Sequence, residues 1–220
     1  GDRMKALILC AGKGTRLRPL TFSNAKQLIP VANKPIILYS IENIRNAGIK
    51  EIGIVVNTEN KMSFEDKLGD GSKYEVKITY ILQEEPKGLA HAVGISRSYL
   101  KDDPFMLYLG DNLIFENLKK YTQKFLKDDC SASILLTPVP NPSQFGIAVL
   151  NEQGNIVKVV EKPKNPPSNF AIIGVYFFKK EIFEAIDNIK PSWRGEYEIT
   201  DAIEYFIENE KKVRSHVIYG

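Results

Sequence analysis

The chain has 220 residues, 43% hydrophobic and 26% charged, with 30 basic against 27 acidic side chains and a formal net charge of +3. That length supports one substantial core and argues against a second independent one. A mild charge without any Lys/Arg block excludes an obligate nucleic-acid partner, and no apolar run reaches the roughly 18–20 residues of a membrane span.

The first half alternates strand and helix. Apolar runs at Lys5–Leu9, Glu51–Val56, Lys77–Leu82 and 104–109 are predicted strands, buried on both faces. Between them 35–47 is a predicted helix, opened by Pro35 and stopped by Gly48, with Ile37, Ile41 and Ile44 at helical spacing. Further helices are expected over 62–68 and 88–100. This order implies a parallel sheet covered on both faces, with ligands at the carboxyl ends of its strands. After Lys127 strands dominate: 131–137, Gly146–Leu150, 155–161 and 171–178, with Asn151-Glu152-Gln153-Gly154 as a hairpin turn. Helices over 181–189 and 199–209 and a strand over 213–219 follow. Cys10 and Cys130 give no disulfide framework, which suits a reducing cytoplasm. Cys10 ends a strand and is expected to be a small buried hydrophobe. Gly1-Asp2-Arg3 ahead of Met4 reads as an expression remnant.

The most informative segment is Leu9-Cys10-Ala11-Gly12-Lys13-Gly14-Thr15-Arg16-Leu17, followed by Lys26-Gln27-Leu28-Ile29-Pro30. Gly12 and Gly14 let the backbone approach a triphosphate, while Arg16 and Lys26 supply positive charge for its oxygens. A glycine turn alone has a purely steric reading; the lysine element weakens it. The loop is not a P-loop, because Gly12 and Gly14 are too close and no Gly-Lys-Ser/Thr follows. Nor is it a dinucleotide fingerprint, since Leu17 stands where the third glycine belongs.

Gly110-Asp111-Asn112 closes another apolar run. A carboxylate there suits Mg²⁺, which prefers carboxylate and phosphate oxygens; a turn or helix-capping aspartate is the alternative. Glu161 and Lys162 offer a sugar-hydroxyl acceptor and a phosphate charge, or a plain surface ion pair. Arg194 is a fork-shaped phosphate donor at the start of a helix that Glu198 or Thr200 would cap. Gln83 and the backbone of Gly88 could pair with a pyrimidine edge. His91 is read as structural, and His216 has no nameable partner. Neither a Ser-His-Asp order, a Cys-His pair nor a zinc spacing is present. What remains is equipment for phosphoryl-group transfer.

Together these motifs resemble the sugar-1-phosphate nucleotidylyltransferases, and most closely the long form of the glucose-1-phosphate thymidylyltransferases. The resemblance runs from Met4 to the end, through Ala11-Gly12-x-Gly14-Thr15-Arg16-Leu17, Lys26-Gln27-Leu28-Ile29-Pro30, Gly110-Asp111-Asn112, Phe145-Gly146, Glu161-Lys162-Pro163 and Arg194-Gly195-Glu196-x-Glu198-Ile199-Thr200-Asp201. It implies an α/β fold: a Rossmann-like, mainly parallel mixed sheet flanked by helices. One domain over 4–220 would comprise a nucleotide-binding half (4–127) and a strand-rich sugar-phosphate half (128–220).

The implied substrates are dTTP and glucose 1-phosphate, joined with Mg²⁺ as cofactor. In that resemblance Arg16, Lys26 and Lys162 are catalytic, and Ala11, Gly12, Gly14, Thr15, Gln27, Gln83 and Gly88 bind the nucleotide. Asn112, Gly146, Glu161, Lys162 and Arg194 bind the sugar phosphate, and Asp111 binds the metal. Family members are commonly homo-oligomers. In the family the final strand leads into an aromatic-x-Asp-x-Gly segment bearing a second metal carboxylate, and the long form continues into a β-helix. The sequence ends before both, so a truncated chain with weakened Mg²⁺ binding and slower turnover is expected. A uridylyl- or other nucleotidylyltransferase, or a non-catalytic nucleotide-sugar-binding regulatory subunit, are the competing readings.

Overall fold

The computed structural model describes residues 3–12, 20–21 and 34–219. Its sheet is built around β1 (Lys5–Leu9), which pairs in parallel with β3 (Glu51–Val56) on one side and β5 (Phe105–Leu109) on the other. Beyond β3 lies β4 (Lys77–Leu82), also parallel. Beyond β5 lies β10 (Phe170–Phe178), antiparallel to β5 and to the next strand, β7 (Ala132–Pro138). A last parallel strand, β11 (Val213–Val217), completes the order β11-β7-β10-β5-β1-β3-β4. The hairpin of β8 (Gly146–Leu150) and β9 (Ile156–Glu161) is attached through β8 to the start of β10. A small separate pairing joins β2 (Leu20–Thr21) to β6 (Asn112–Leu113).

The side-chain alternation of β1 sorts the core into two layers. Ala6 and Ile8 pack with Ile41 and Ile44 of α1 (Ile36–Asn46), Leu68 of α2 (Lys61–Leu68) and Phe125 of α5 (Lys119–Lys127). Leu7 packs on the other face with Val93 of α3 (Leu89–Gly94), Phe183 of α6 (Ile182–Asp187) and Phe206 of α7 (Ile199–Glu208). Apolar side chains on both faces are what a parallel sheet requires. No helix among the described residues is long and apolar enough to cross a membrane.

The structure differs from the sequence expectation in two helices. Residues 88–100 form two short helices, α3 and α4 (Arg97–Leu100), because Ser96 Oγ donates to the Ala92 carbonyl at 2.8 Å and its N–H bonds to Val93. A serine bonding backwards in this way competes with the helical ladder. Helix α5 was not expected at all: of its nine residues only Thr122 and Phe125 are buried, so its apolar periodicity is too sparse to read. The expected hairpin turn is present, with Gly154 at φ 79° and its N–H on Asn151.

Because β3 and β5 flank β1 on opposite sides, the chain leaves the sheet in diverging directions at the carboxyl ends of these strands. A crevice opens there.

Candidate active site

A cleft of about 560 Å³ occupies this crevice. Nine residues expected from the sequence line it together: Ala11, Gly12, Gln83, Gly88, Asn112, Gly146, Glu161, Lys162 and Arg194. Asp111 does not; it lines a neighbouring cavity of about 290 Å³ with Cys10, Pro35 and Phe64. Gly14, Thr15, Arg16, Lys26 and Gln27 lie outside the described residues.

The floor is made where the strands end. Gly110 N–H bonds to the Leu9 carbonyl at 3.1 Å, and a Cβ on Gly110 would lie 2.6 Å from Cys10 Sγ. Only glycine allows the loops after β1 and β5 to approach so closely. Cys10 is the buried hydrophobe expected, its thiol pKa pushed up to about 12 by burial and by the nearby charge of Asp111. The first carbonyls of the glycine loop are held from the loop after β3: Asn60 Nδ2 donates to Cys10 at 2.8 Å and Asn57 Nδ2 to Ala11 at 3.2 Å. Each asparagine also accepts the other's backbone N–H. Sequence reasoning missed this clasp, although two asparagines three apart at a strand's carboxyl end are an Asx-turn signal.

One wall carries Gln83 and Gly88. Gly88 has φ 105° and ψ 172°, and a Cβ there would lie 2.5 Å from the Tyr197 carbonyl oxygen. The reason is a strap, residues 192–198, docked against this wall: Tyr197 N–H bonds to Lys87 at 2.7 Å, and Ala90 N–H to Tyr197 at 3.0 Å. The same strap carries Arg194, so Arg194 is tied to the Gln83–Gly88 wall by main chain.

The opposite wall is the β8–β9 hairpin. Gly146 pairs directly with Glu161, whose Oε2 would lie 3.1 Å from a Cβ at 146. Burial, and next the charge of Glu198, raise the Glu161 pKa above the ordinary carboxylate value, against the opposing pull of Lys162 and Arg194. Glu161 and Lys162 are therefore no simple surface pair; among the described residues Lys162 forms no ion pair with Glu161. Lys162 adopts φ 44°, a left-handed conformation rare for a side-chain-bearing residue, with its N–H on Phe145 at 3.0 Å. Arg194 is shared between Glu196 at 2.7 Å and Glu198 at 3.2 Å. Glu198 occupies the N-cap of α7 without capping it; its carboxylate accepts instead from Ser192 Oγ at 3.0 Å. The expected side-chain cap is thus corrected: the competing partners on the strap take the carboxylate.

Asn112 is 1% exposed and donates to the Ile173 carbonyl at 2.8 Å. It fits a bulge in β10 where Gly174, at φ 86°, leaves room that any side chain would close. His91 Nδ1 is hydrogen-bonded to Gln83 Nε2, 2.9 Å away, and His216 packs against Tyr121 with the rings tilted at 46° and centroids 5.1 Å apart. Among the described residues no three His, Cys, Asp or Glu side chains group to hold a metal. A strand-end carboxylate is the kind of donor that Mg²⁺ takes together with substrate phosphates; Asp111 supplies one beside the cleft rather than within it.

The nucleotidyl transferase family model matches residues 5–219. The chain is 47% identical over 217 residues to a low-salt glycan biosynthesis nucleotidyltransferase of Haloferax volcanii, and 48% identical over 217 residues to a glucose-1-phosphate thymidylyltransferase of Streptomyces griseus. Both matches cover 99% of this chain and 61% of the relative, so the chain spans about three fifths of their length. A crystal structure of a candidate glucose-1-phosphate thymidylyltransferase from Bacillus anthracis, in complex with sucrose, superposes with a TM-score of 0.85 at 32% identity. That match covers 98% of this chain and 87% of the other. The chain belongs to the nucleotidyl transferase family.

Proposed function

We propose that this chain is the catalytic domain of a sugar-1-phosphate nucleotidylyltransferase that converts dTTP and glucose 1-phosphate to dTDP-glucose and pyrophosphate. The observation that carries the reading is the strap: its main-chain bonds tie the Gln83–Gly88 wall to Arg194, across one cleft from Glu161 and Lys162. A base and a sugar phosphate bound on such walls are held in fixed relation, and positioning together with charge stabilisation carries most of phosphoryl-transfer catalysis.

In this reading an oxygen of the sugar phosphate attacks the α-phosphorus of dTTP. The new P–O bond forms as the α–β bridging bond breaks, and pyrophosphate carries away the charge. No general base is needed, because the attacking phosphate is already anionic. Lys162 and Arg194 orient it; Arg194 exchanges Glu196 for a phosphate oxygen while Glu198 keeps its hold through Ser192. Glu161 accepts glucose hydroxyls, which offsets its costly burial. Arg16 and Lys26 hold the triphosphate. Asp111 would hold Mg²⁺ jointly with phosphate oxygens, and the ion would supply neutralisation of developing charge.

A uridylyltransferase is the second reading, since uracil and thymine present the same hydrogen-bonding edge and the name of the Haloferax volcanii relative in the 47% match specifies no base. Pyrophosphate release from dTTP or UTP, with glucose 1-phosphate and Mg²⁺, tests both. Faster release from dTTP is expected. Preference for UTP moves the chain to the uridylyl reading; nucleotide-sugar binding with no release from either removes catalysis by this chain on its own and leaves the binding site standing.

A further inference from the structure

Gln83 is only 6% exposed and lines the cleft, and among the described residues both of its side-chain hydrogen bonds use Nε2. One reaches the Gly88 carbonyl at 3.4 Å, the other His91 Nδ1 at 2.9 Å. A carbonyl oxygen can only accept, so the bond to Gly88 settles which end of the amide faces the protein. With Nε2 donating to it, His91 Nδ1 is the acceptor and the imidazole proton sits on Nε2. The ring is held by Tyr197 of the strap, stacked at 27° with centroids 6.4 Å apart. Burial, then the charge of Lys87, keep the His91 pKa below the ordinary histidine value and so favour the neutral acceptor form, against the opposing pull of Glu85.

We propose that His91 is a specificity-determining positioning residue: by accepting from Gln83 Nε2 it turns Oε1 to the cleft, so that the site takes pyrimidines with an N3–H donor and rejects cytosine. This rests on the proposed role of Gln83 in reading the base. Thymine and uracil carry a proton on N3 that Oε1 accepts; cytosine has a lone pair there, which would oppose Oε1. A donor at position 91 would turn the amide over and reverse that preference. The sequence reading gave His91 no part in recognition.

The experiment compares dTTP and dCTP binding by calorimetry to the chain and to His91→Gln, His91→Leu and His91→Lys. Glutamine keeps an acceptor, leucine removes it, and lysine offers only donors. Added charge affects both triphosphates alike, so the affinity ratio isolates base recognition. The native chain is expected to favour dTTP by about tenfold or more, the factor associated with one buried hydrogen bond. His91→Gln should keep that ratio, His91→Leu reduce it at least about threefold, and His91→Lys bring it to unity or below. Equal ratios in all four proteins, each shown folded by its melting curve, would overturn the role of His91. Failure of His91→Gln to match the native ratio would overturn it equally. Binding of neither triphosphate by the native chain would instead sink the base-site reading itself.

Discussion

Replacing Gly88 by alanine tests whether the strap and the base wall form one unit. Gly88 sits at φ 105° and ψ 172°, a region essentially reserved for glycine, where a side chain costs about 1–3 kcal/mol. The added Cβ would lie 2.5 Å from Tyr197 O and 2.8 Å from Tyr197 N. These are backbone atoms, so relief requires the strap to move, and the bonds from Tyr197 N–H to Lys87 and from Ala90 N–H to Tyr197 go with it. Each contributes about 0.5–1.5 kcal/mol, so the total loss is about 2–6 kcal/mol. In a domain of this size that lowers Tm by on the order of 10 °C. Gly154→Ala is the control: φ is 79°, but nothing lies within 4 Å of the new Cβ, so only strain of about 1–2 kcal/mol is added. Thermal and urea unfolding of both variants, with calorimetry of dTDP-glucose, gives the answer. Gly88→Ala should melt well below Gly154→Ala and bind weakly, because the displaced strap carries Arg194. Equal melting temperatures would refute the reasoning.

Other consequences follow from the same geometry. Burial and Glu198 raise the Glu161 pKa, so the folded chain binds that proton more tightly than the unfolded one. Stability therefore falls as pH rises from the ordinary carboxylate value through the raised one, and the cost is fully present above it. Glu161→Gln should raise Tm at neutral pH by about 1–3 °C, flatten this pH dependence, and cost at least about tenfold in nucleotide-sugar affinity. Lys162→Ala should lower turnover at least about a hundredfold, whereas Lys162→Gly, equally slow, should melt a few degrees higher because φ 44° no longer strains the backbone. Equal melting of those two variants would remove the strain argument. Asn60→Ala strips the Cys10 carbonyl of its donor and leaves the Asn57 N–H without its acceptor, and should destabilise by about 1–3 kcal/mol in urea unfolding.

The strands were the most legible part of the fold, because β1, β3 and β5 are short, mainly apolar runs bounded by turns; β4 was placed correctly but is not buried on both faces as expected, since it forms the sheet edge and of its residues only Ile78 is buried. Helix α1 was legible from Ile37, Ile41 and Ile44. The break at Ser96 was not, because whether a serine bonds backwards or outwards is decided by its burial in the fold. In the site, the glycines and charged residues at strand ends announced the cleft. Its internal wiring was less legible: the Asn57–Asn60 clasp carried a local Asx-turn signal, whereas the Ser192–Glu198 and Gln83–His91 bonds depend on how the strap and the base wall fold. Asp111 shows the limit of a motif read alone, since it stands at the expected strand end yet lines the cavity beside the cleft.

The central claim is that the two walls form one nucleotide-sugar site. Calorimetric binding of dTDP-glucose, with UDP-glucose and NADH as comparators, tests it most directly, in the native chain and in Lys162→Ala. We expect saturable binding of dTDP-glucose, weaker UDP-glucose binding, none for NADH, and a loss of at least about tenfold in the variant. A folded native chain that binds neither nucleotide sugar, or a Lys162→Ala variant that binds as well as the native chain, would contradict it.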